Sequence, residues 1–485
     1  MQTTPIYNNF PFIQSTSLFL HPVKTYIIIL LLFFIAFAGS CRKDSFNTNA
    51  EAKLSIGNDS LHFDTVFTSA GSVTQYFLIK NENKQKIRIS NLQLMGGTAS
   101  NFKMNADGNA GAQFSNIEIE GNDSIYVFVT VNVNPNALNQ PFVIKDSIKV
   151  EWNGNKLFKQ LEAWGQNAHY IRSTLFRGNI TWTNDLPYVI IGGMIIDTNS
   201  VLTIQPGVRV YLNADAPFII DGTLKTNGTK TDSIVFKGNR LDEPYKDYPG
   251  AWPGIFLRGS SKDNNLTYTY IKNAYQGLVV EKPSSTANPK LTLNNCVLDN
   301  IFDIGLLAAN SSVVANNCLI ANCGNNIVLV QGGTYQFTHC TVVSISNSFI
   351  QHKNPVLTAT NFIKSNNQIV SSPLNTTFTN SIIWSDGGLV DNDIVVQKEG
   401  TDATTLTLNS VLFRSKTDPA FTTFNNVIRN TDPFFDSVNV SRRYYNFQLK
   451  TGSPAINKGV ATSLLSDFNG MPRVGLPDLG CYEKQ

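Results

Sequence analysis

Charged side chains are scarce in this chain of 485 residues: Asp, Glu, Lys and Arg make up 15% of it, and 38 basic against 35 acidic residues leave a net charge of +3. No basic stripe or run of Lys and Arg occurs, so neither nucleic acid nor an anionic membrane surface is an expected electrostatic partner. Histidine is rare as well. The five histidines show no H-x-x-x-H spacing and the six cysteines no C-x-x-C, so no metal or other cofactor is expected. Long apolar runs are absent but for Tyr26 to Gly39, whose 14 residues fall short of the roughly 20 that span a bilayer as a stable helix.

What the chain has in abundance is Asn, Thr and Ser, a composition suited to strands and turns. Cys296, Cys318 and Cys340 follow one another at intervals of 22 residues, preceded by Asn295, Asn317 and His339 and followed two positions on by Leu298, Ile320 and Val342. A unit this short, apolar at alternating positions and broken by Asn, Gly and Ser, is too small for a helical hairpin. It fits one coil of a parallel β-solenoid. The repeat cysteines are expected inside the coils as small apolar groups, and Asn295 with Asn317, and Asn300 with Asn322, as stacked corners joined by a hydrogen-bonded ladder. Five cysteines remain once Cys41 is set aside, an odd number that cannot all pair.

Lys24, the apolar run and the small residues Ala38, Gly39 and Ser40 before Cys41 have the order of a signal peptide. They resemble a bacterial lipobox, with Ala38 where that pattern usually has Leu, which implies that Cys41 is the lipidated first residue of the mature chain. Ordinary signal cleavage beside a chance cysteine, or a short uncleaved anchor, is the alternative. The expected organisation is a signal peptide over 1–40, a lipidated N-terminus and linker over 41–52, a β-sandwich over 53–168, a solenoid over 172–440 and a closing segment over 441–485.

Three resemblances sharpen that plan. Short alternating segments such as SIYVFVTVNV and DSIKVEW, together with Phe63 to Phe67 and Val131 to Pro135, look like the immunoglobulin-like antiparallel sandwich modules of Bacteroidetes envelope lipoproteins. The stretch Val201-Leu202-Thr203-Ile204-Gln205-Pro206-Gly207-Val208, then Gly222-Thr223-Leu224, resembles the opening coils of right-handed parallel β-helix proteins. Gly452-Ser453-Pro454-Ala455-Ile456-Asn457 and Pro477-Asp478-Leu479-Gly480-Cys481-Tyr482 resemble the closing segment of secreted bacterial β-helix proteins. The implied fold class is all-β, a right-handed parallel β-helix of about 22 residues per regular coil preceded by an Ig-like sandwich. The closing segment is expected to cover the open solenoid end, whose backbone groups would otherwise recruit another chain.

The same resemblance raises polysaccharide lyases and hydrolases. Inverting hydrolysis needs an acid and a base across the scissile bond, yet the chain has no Asp-Asp pair and no Gly-His-Gly. Coils 291 to 343 hold only Asp299 and Asp303 as acids, too few for the Ca²⁺ site of a pectate-type lyase. No catalytic residue is assigned, and Ile383-Trp384-Ser385-Asp386, His339 and His352 are taken as structural. The candidate ligand site is the charged, aromatic excursion from Arg240 to Trp252. There Asp242, Glu243 and Asp247 could accept sugar hydroxyls and Tyr245, Tyr248 and Trp252 could stack on sugar rings; alternatively the rings fold the loop back on the solenoid. The expected role is that of a cell-envelope lipoprotein of the outer membrane that binds or scaffolds polysaccharide or envelope proteins. Polysaccharide lyase or glycoside hydrolase is the competing function.

Overall fold

The computed structural model describes residues 45–484 apart from 69–70, 138–140, 367 and 387. The apolar run and Cys41 therefore lie outside the described residues. Across the described residues the chain forms strands, turns and two 3-10 turns, with no α-helix.

Alternating side chains build the first unit. In Ser124–Val131 the residues Ile125, Val127, Val129 and Val131 are buried while Tyr126 and Phe128 face out, the period of two of a half-buried strand. That strand lies in a sheet ordered Leu54–Ser55, Gln75–Asn81, Ser124–Val131, Phe102–Ala106, Asn109–Ala110. A second sheet, ordered Ser60–Phe67, Asn155–Gln166, Phe142–Trp152, Asn91–Leu94, Gln113–Phe114, shares with it a core that includes Phe63, Ile79, Phe102, Val127 and Ile148. One pairing corrects the all-antiparallel expectation: Ser60–Phe67 runs parallel to Asn155–Gln166. Nearly the whole unit separates the two strands, far more chain than the dozen or so residues a parallel connection needs.

From His169–Phe176 to Ile428–Arg429 the strands of a 24-stranded sheet pair in parallel, coil upon coil, in a solenoid-like stack. Leu291 lies against Val313 and Val313 against Tyr335, Val297 against Leu319 and Leu319 against Thr341, each partner 22 residues further on. The repeat is thus a stacking register. Cys296, Cys318 and Cys340 are fully buried in the stack, and they, Cys323 and Cys481 are all free thiols.

Corners follow from residues that tolerate a left-handed backbone: Asn295 (φ 54°), Asn317 (50°) and His339 (52°) at one corner, Asn300 (58°) and Asn322 (52°) at another. The expected amide ladder between these asparagines does not form. Asn295 and Asn317 donate to the carbonyls of Phe468 and Ser466, Asn300 to the Asp247 carbonyl and the Asn273 amide, and Asn322 to the Asp299 carboxylate. Chain packed over the first corner supplies its acceptors, while at the second Asn300 and Asn322 also reach the preceding rung through Asn273 and Asp299.

That covering chain is largely the C-terminus, which corrects the expectation that 441–485 closes the open end. Val297, Leu319, Val343 and Ile345 form an apolar stripe on the outside of successive coils, and Phe447, Phe468 and Cys481 bury it. The segment runs back along this flank as a strap: Val460 accepts from Asn380, Thr462 lies 3.2 Å from His339, and Ser466 accepts from Asn317. Hydrophobic cover along several coils outweighs closure of one edge. Its anchor is Arg473, which pairs with Glu483 at 2.6 Å in nearly complete burial.

Three insertions break the repeat: 239–250, 346–356 and the hairpin of Phe362–Ser365 with Gln368–Ser371. They lengthen the step between stacked residues, so that Ile220 lies against Leu257 and Thr341 against Ile382.

Candidate functional site: a polar cleft between insertions and strap

The first two insertions meet the strap on one flank. The hairpin of Phe435–Asn439 with Tyr444–Leu449 carries Arg442 and Arg443 at its tip and reaches the 240–249 loop, where Arg443 lies 3.5 Å from Asp247.

Side chains from all three segments form a single row. The Arg240 guanidinium sits 4.0 Å from the centre of the Tyr245 ring. Tyr245 meets Tyr248 edge-on at 5.2 Å, Tyr248 packs on Phe349 at 4.9 Å, and Arg443 lies 4.7 Å over Phe349. Asp242 fastens one end, accepting from Arg240 at 2.7 and 2.8 Å. Contacts of these kinds contribute roughly 0.5–1 kcal/mol each at exposed positions, so the row is a positioned wall.

Of this row only Phe349 and Arg443 reach the lining of a cleft of about 370 Å³ that opens beside it. Its floor comes from corner residues of successive coils, Asn273, Asn300 and Asn322, with Lys272 and Asp299 paired at 3.1 Å. Its far side is Arg442, Arg443 and Tyr445. The Asp299 charge holds the Lys272 ammonium above its ordinary range, the Arg240 bonds hold the Asp242 carboxyl below its own, and burial pushes the Tyr445 phenol up. Glu243 pairs with Lys246. Each cleft carboxylate thus faces a cation, while Arg442 forms no ion pair among the described residues.

This arrangement suits recognition better than bond cleavage. Amides, ammonium and guanidinium groups can meet hydroxyls, and ring faces can meet the apolar faces of a sugar, whereas a general acid must hold a proton that a paired carboxylate has given up. Among the described residues no group of three His, Cys, Asp or Glu is gathered tightly enough to hold a metal ion.

Of the expected site residues, Asp242, Tyr245 and Tyr248 belong to the row, and Glu243 and Asp247 line the cleft. Trp252 is corrected. It is 1% exposed within the solenoid core, donates to the Lys272 carbonyl at 2.9 Å and bridges to Ala274, because the chain has already rejoined the coil after Gly250. His339 is buried against Asn380 at 3.0 Å. His352 is buried 3.8 Å from Asp393, which accepts a hydrogen bond from Ser385, so folding brings near it a carboxylate that no sequence neighbour does. Sequence reasoning missed Lys272, Asn273, Phe349, Arg442, Arg443 and Tyr445. A readable signal existed only for the last three, since Arg442-Arg443-Tyr444-Tyr445 is a dense charged and aromatic run in a chain poor in charge.

No family model matches the chain, and no curated protein matches it. Among solved structures, a family 123 glycoside hydrolase from Clostridium perfringens aligns at 11% identity and TM-score 0.18, covering 24% of this chain and 26% of that one. The ASH/PapD-like domain 7 of human CEP192 aligns at 12% identity and TM-score 0.17, covering 26% of this chain and 92% of the domain. The alkylpurine DNA glycosylase AlkC of Pseudomonas fluorescens aligns at 9% identity and TM-score 0.15, covering 24% of this chain and 31% of that one. The chain spans about a quarter of the length of the glycoside hydrolase it matches, and likenesses this slight leave function to the site itself.

Proposed function

We propose that the protein is a cell-envelope lipoprotein of the Bacteroidetes type, anchored through Cys41, in which an Ig-like sandwich carries a right-handed parallel β-helix that binds glycan. The observation that carries the binding function is the cleft, where Arg443 stacked on Phe349, together with Tyr445, faces a floor of amides and paired charges. Supporting the architecture are the parallel pairing and the 22-residue register. Supporting the anchor are the Lys24 charge, the apolar run and the small residues before Cys41.

Incubation of the ectodomain with acidic and neutral polysaccharides tests the binding function. Retention without new reducing ends or unsaturated products is the expected result, and Arg442→Ala together with Tyr445→Ala should abolish retention. Cleavage products would favour the lyase or hydrolase reading instead. The anchor is tested separately: Cys41→Ala should release the protein from the membrane fraction, and unchanged partition and mobility would refute lipidation.

A further inference from the structure

A second aromatic surface lies immediately beyond the cleft. Tyr275 and Phe302, from neighbouring coils, pair with ring centres 5.5 Å apart and planes 27° apart, yet each remains about half exposed, at 48% and 49%. Tyr275 and Phe302 are held by their backbones, Tyr275 donating to Trp252 and Phe302 to Ala274, so the shelf is built on the solenoid and not on a loose loop. Between Phe302 and the 346–354 insertion lies a second hollow of about 320 Å³, lined by Gly324, Ser348, Gln351 and Lys353. The hollow and the cleft share one residue, Phe349.

Phe349 is therefore a ridge with a recognition surface on either side. Each side combines aromatic carbon with hydroxyl, amide and ammonium groups. A single sugar would occupy one side and leave the other empty. The half-exposed Phe302 ring beside Gln351 and Lys353, extended by Tyr275 stacked on it, matches a further sugar unit of the same chain, since ring faces take its apolar face and the polar rim its hydroxyls.

We propose that the cleft and the Tyr275–Phe302 shelf are successive subsites for one extended oligosaccharide chain that crosses the Phe349 ridge, so that the ligand is the interior of a polymer and not a chain end or a free monosaccharide. This rests on the glycan-binding function proposed above. Occupying both subsites makes the second contact intramolecular, which raises affinity steeply with chain length until both are filled.

The test uses the whole ectodomain and two matched series, oligogalacturonides and cello-oligosaccharides, with affinities measured by calorimetry. In the series that binds, the hexasaccharide should bind at least about tenfold more tightly than the disaccharide. The Tyr275→Ala and Phe302→Ala variants, taken singly, should each reduce that ratio several-fold. Ile369→Ala, exposed on the hairpin of Gln368–Ser371, controls for general loss of structure and should leave the ratio intact. Equal affinity for both lengths, or a ratio untouched by both shelf variants, overturns the extended track while the cleft still binds. Absence of binding in both series overturns the track together with the glycan-binding function.

Discussion

At the scale of single residues, burial sets the protonation behaviour that matters for stability. His339 is fully buried at a solenoid corner, bonded to Asn380 and Thr462, with Arg473 near enough to repel a second positive charge. Burial pushes its pKa from 6.5 down to about 3. The unfolded chain therefore binds a proton on His339 between those values while the folded chain does not. Its contribution to stability is complete above about pH 6.5 and lost as the pH falls towards 3. His339→Gln should flatten the acid limb of the urea-unfolding midpoint by an amount on the order of 2–4 kcal/mol at pH 4; an unchanged limb would show that His339 titrates normally. Burial also raises the thiols, Cys481 to about 12 and Cys296 well above its ordinary value. These cysteines act as core side chains and not as nucleophiles.

The strap is the element on which the flank depends. Arg473 and Glu483 form a nearly buried pair, Arg473 also donates to Asn317 and to the Gly480 carbonyl, and burial raises the Glu483 carboxyl. Breaking such a pair strands one charge in a poorly hydrated site, at a typical cost of about 3–5 kcal/mol. Arg473→Met should destabilise the protein by roughly that amount, and Arg473→Met with Glu483→Gln by clearly less. The comparison is a double-mutant cycle in urea. Additive losses would mean that the two side chains do not interact. Because the same strap places Arg442, Arg443 and Tyr445 in the cleft, Arg473→Met should also weaken glycan retention without touching the cleft itself.

For the whole molecule, the sandwich and the solenoid own separate cores, one around Phe63, Ile79 and Phe102, the other running from Trp182 to Phe413. They meet where Phe67 packs on Tyr211 at 4.9 Å, where Tyr170 donates to the Thr68 carbonyl, and where Asp64 and Val73 face Arg240 and Leu241 across a hollow. Units joined this way are expected to unfold as separate cooperative blocks. Calorimetry should resolve two transitions, with Phe67→Ala shifting them apart. One transition whose calorimetric and van't Hoff enthalpies agree would refute the two-block description.

The chain's own residues determined the strand content, the alternation of Ser124–Val131 and the parallel stacking, because each of these is a local or periodic property. A repeat of 22 residues with Asn at its corners can bury its alternate side chains only by laying like upon like. The 240–249 loop was legible for the same reason: it breaks the pattern. Only the tertiary structure decided what that loop meets. Trp252 turned inward because the coil resumes two residues earlier than the loop's composition suggests, and the C-terminus became a strap because an apolar stripe spread over separate coils exists only once they are stacked. Asp247, Asp299, Phe349 and Arg443 share one cleft although long stretches of chain separate them. Periodicity specifies what repeats. Where the exceptions come together depends on coil stacking and on the path of the returning chain, which no local preference encodes.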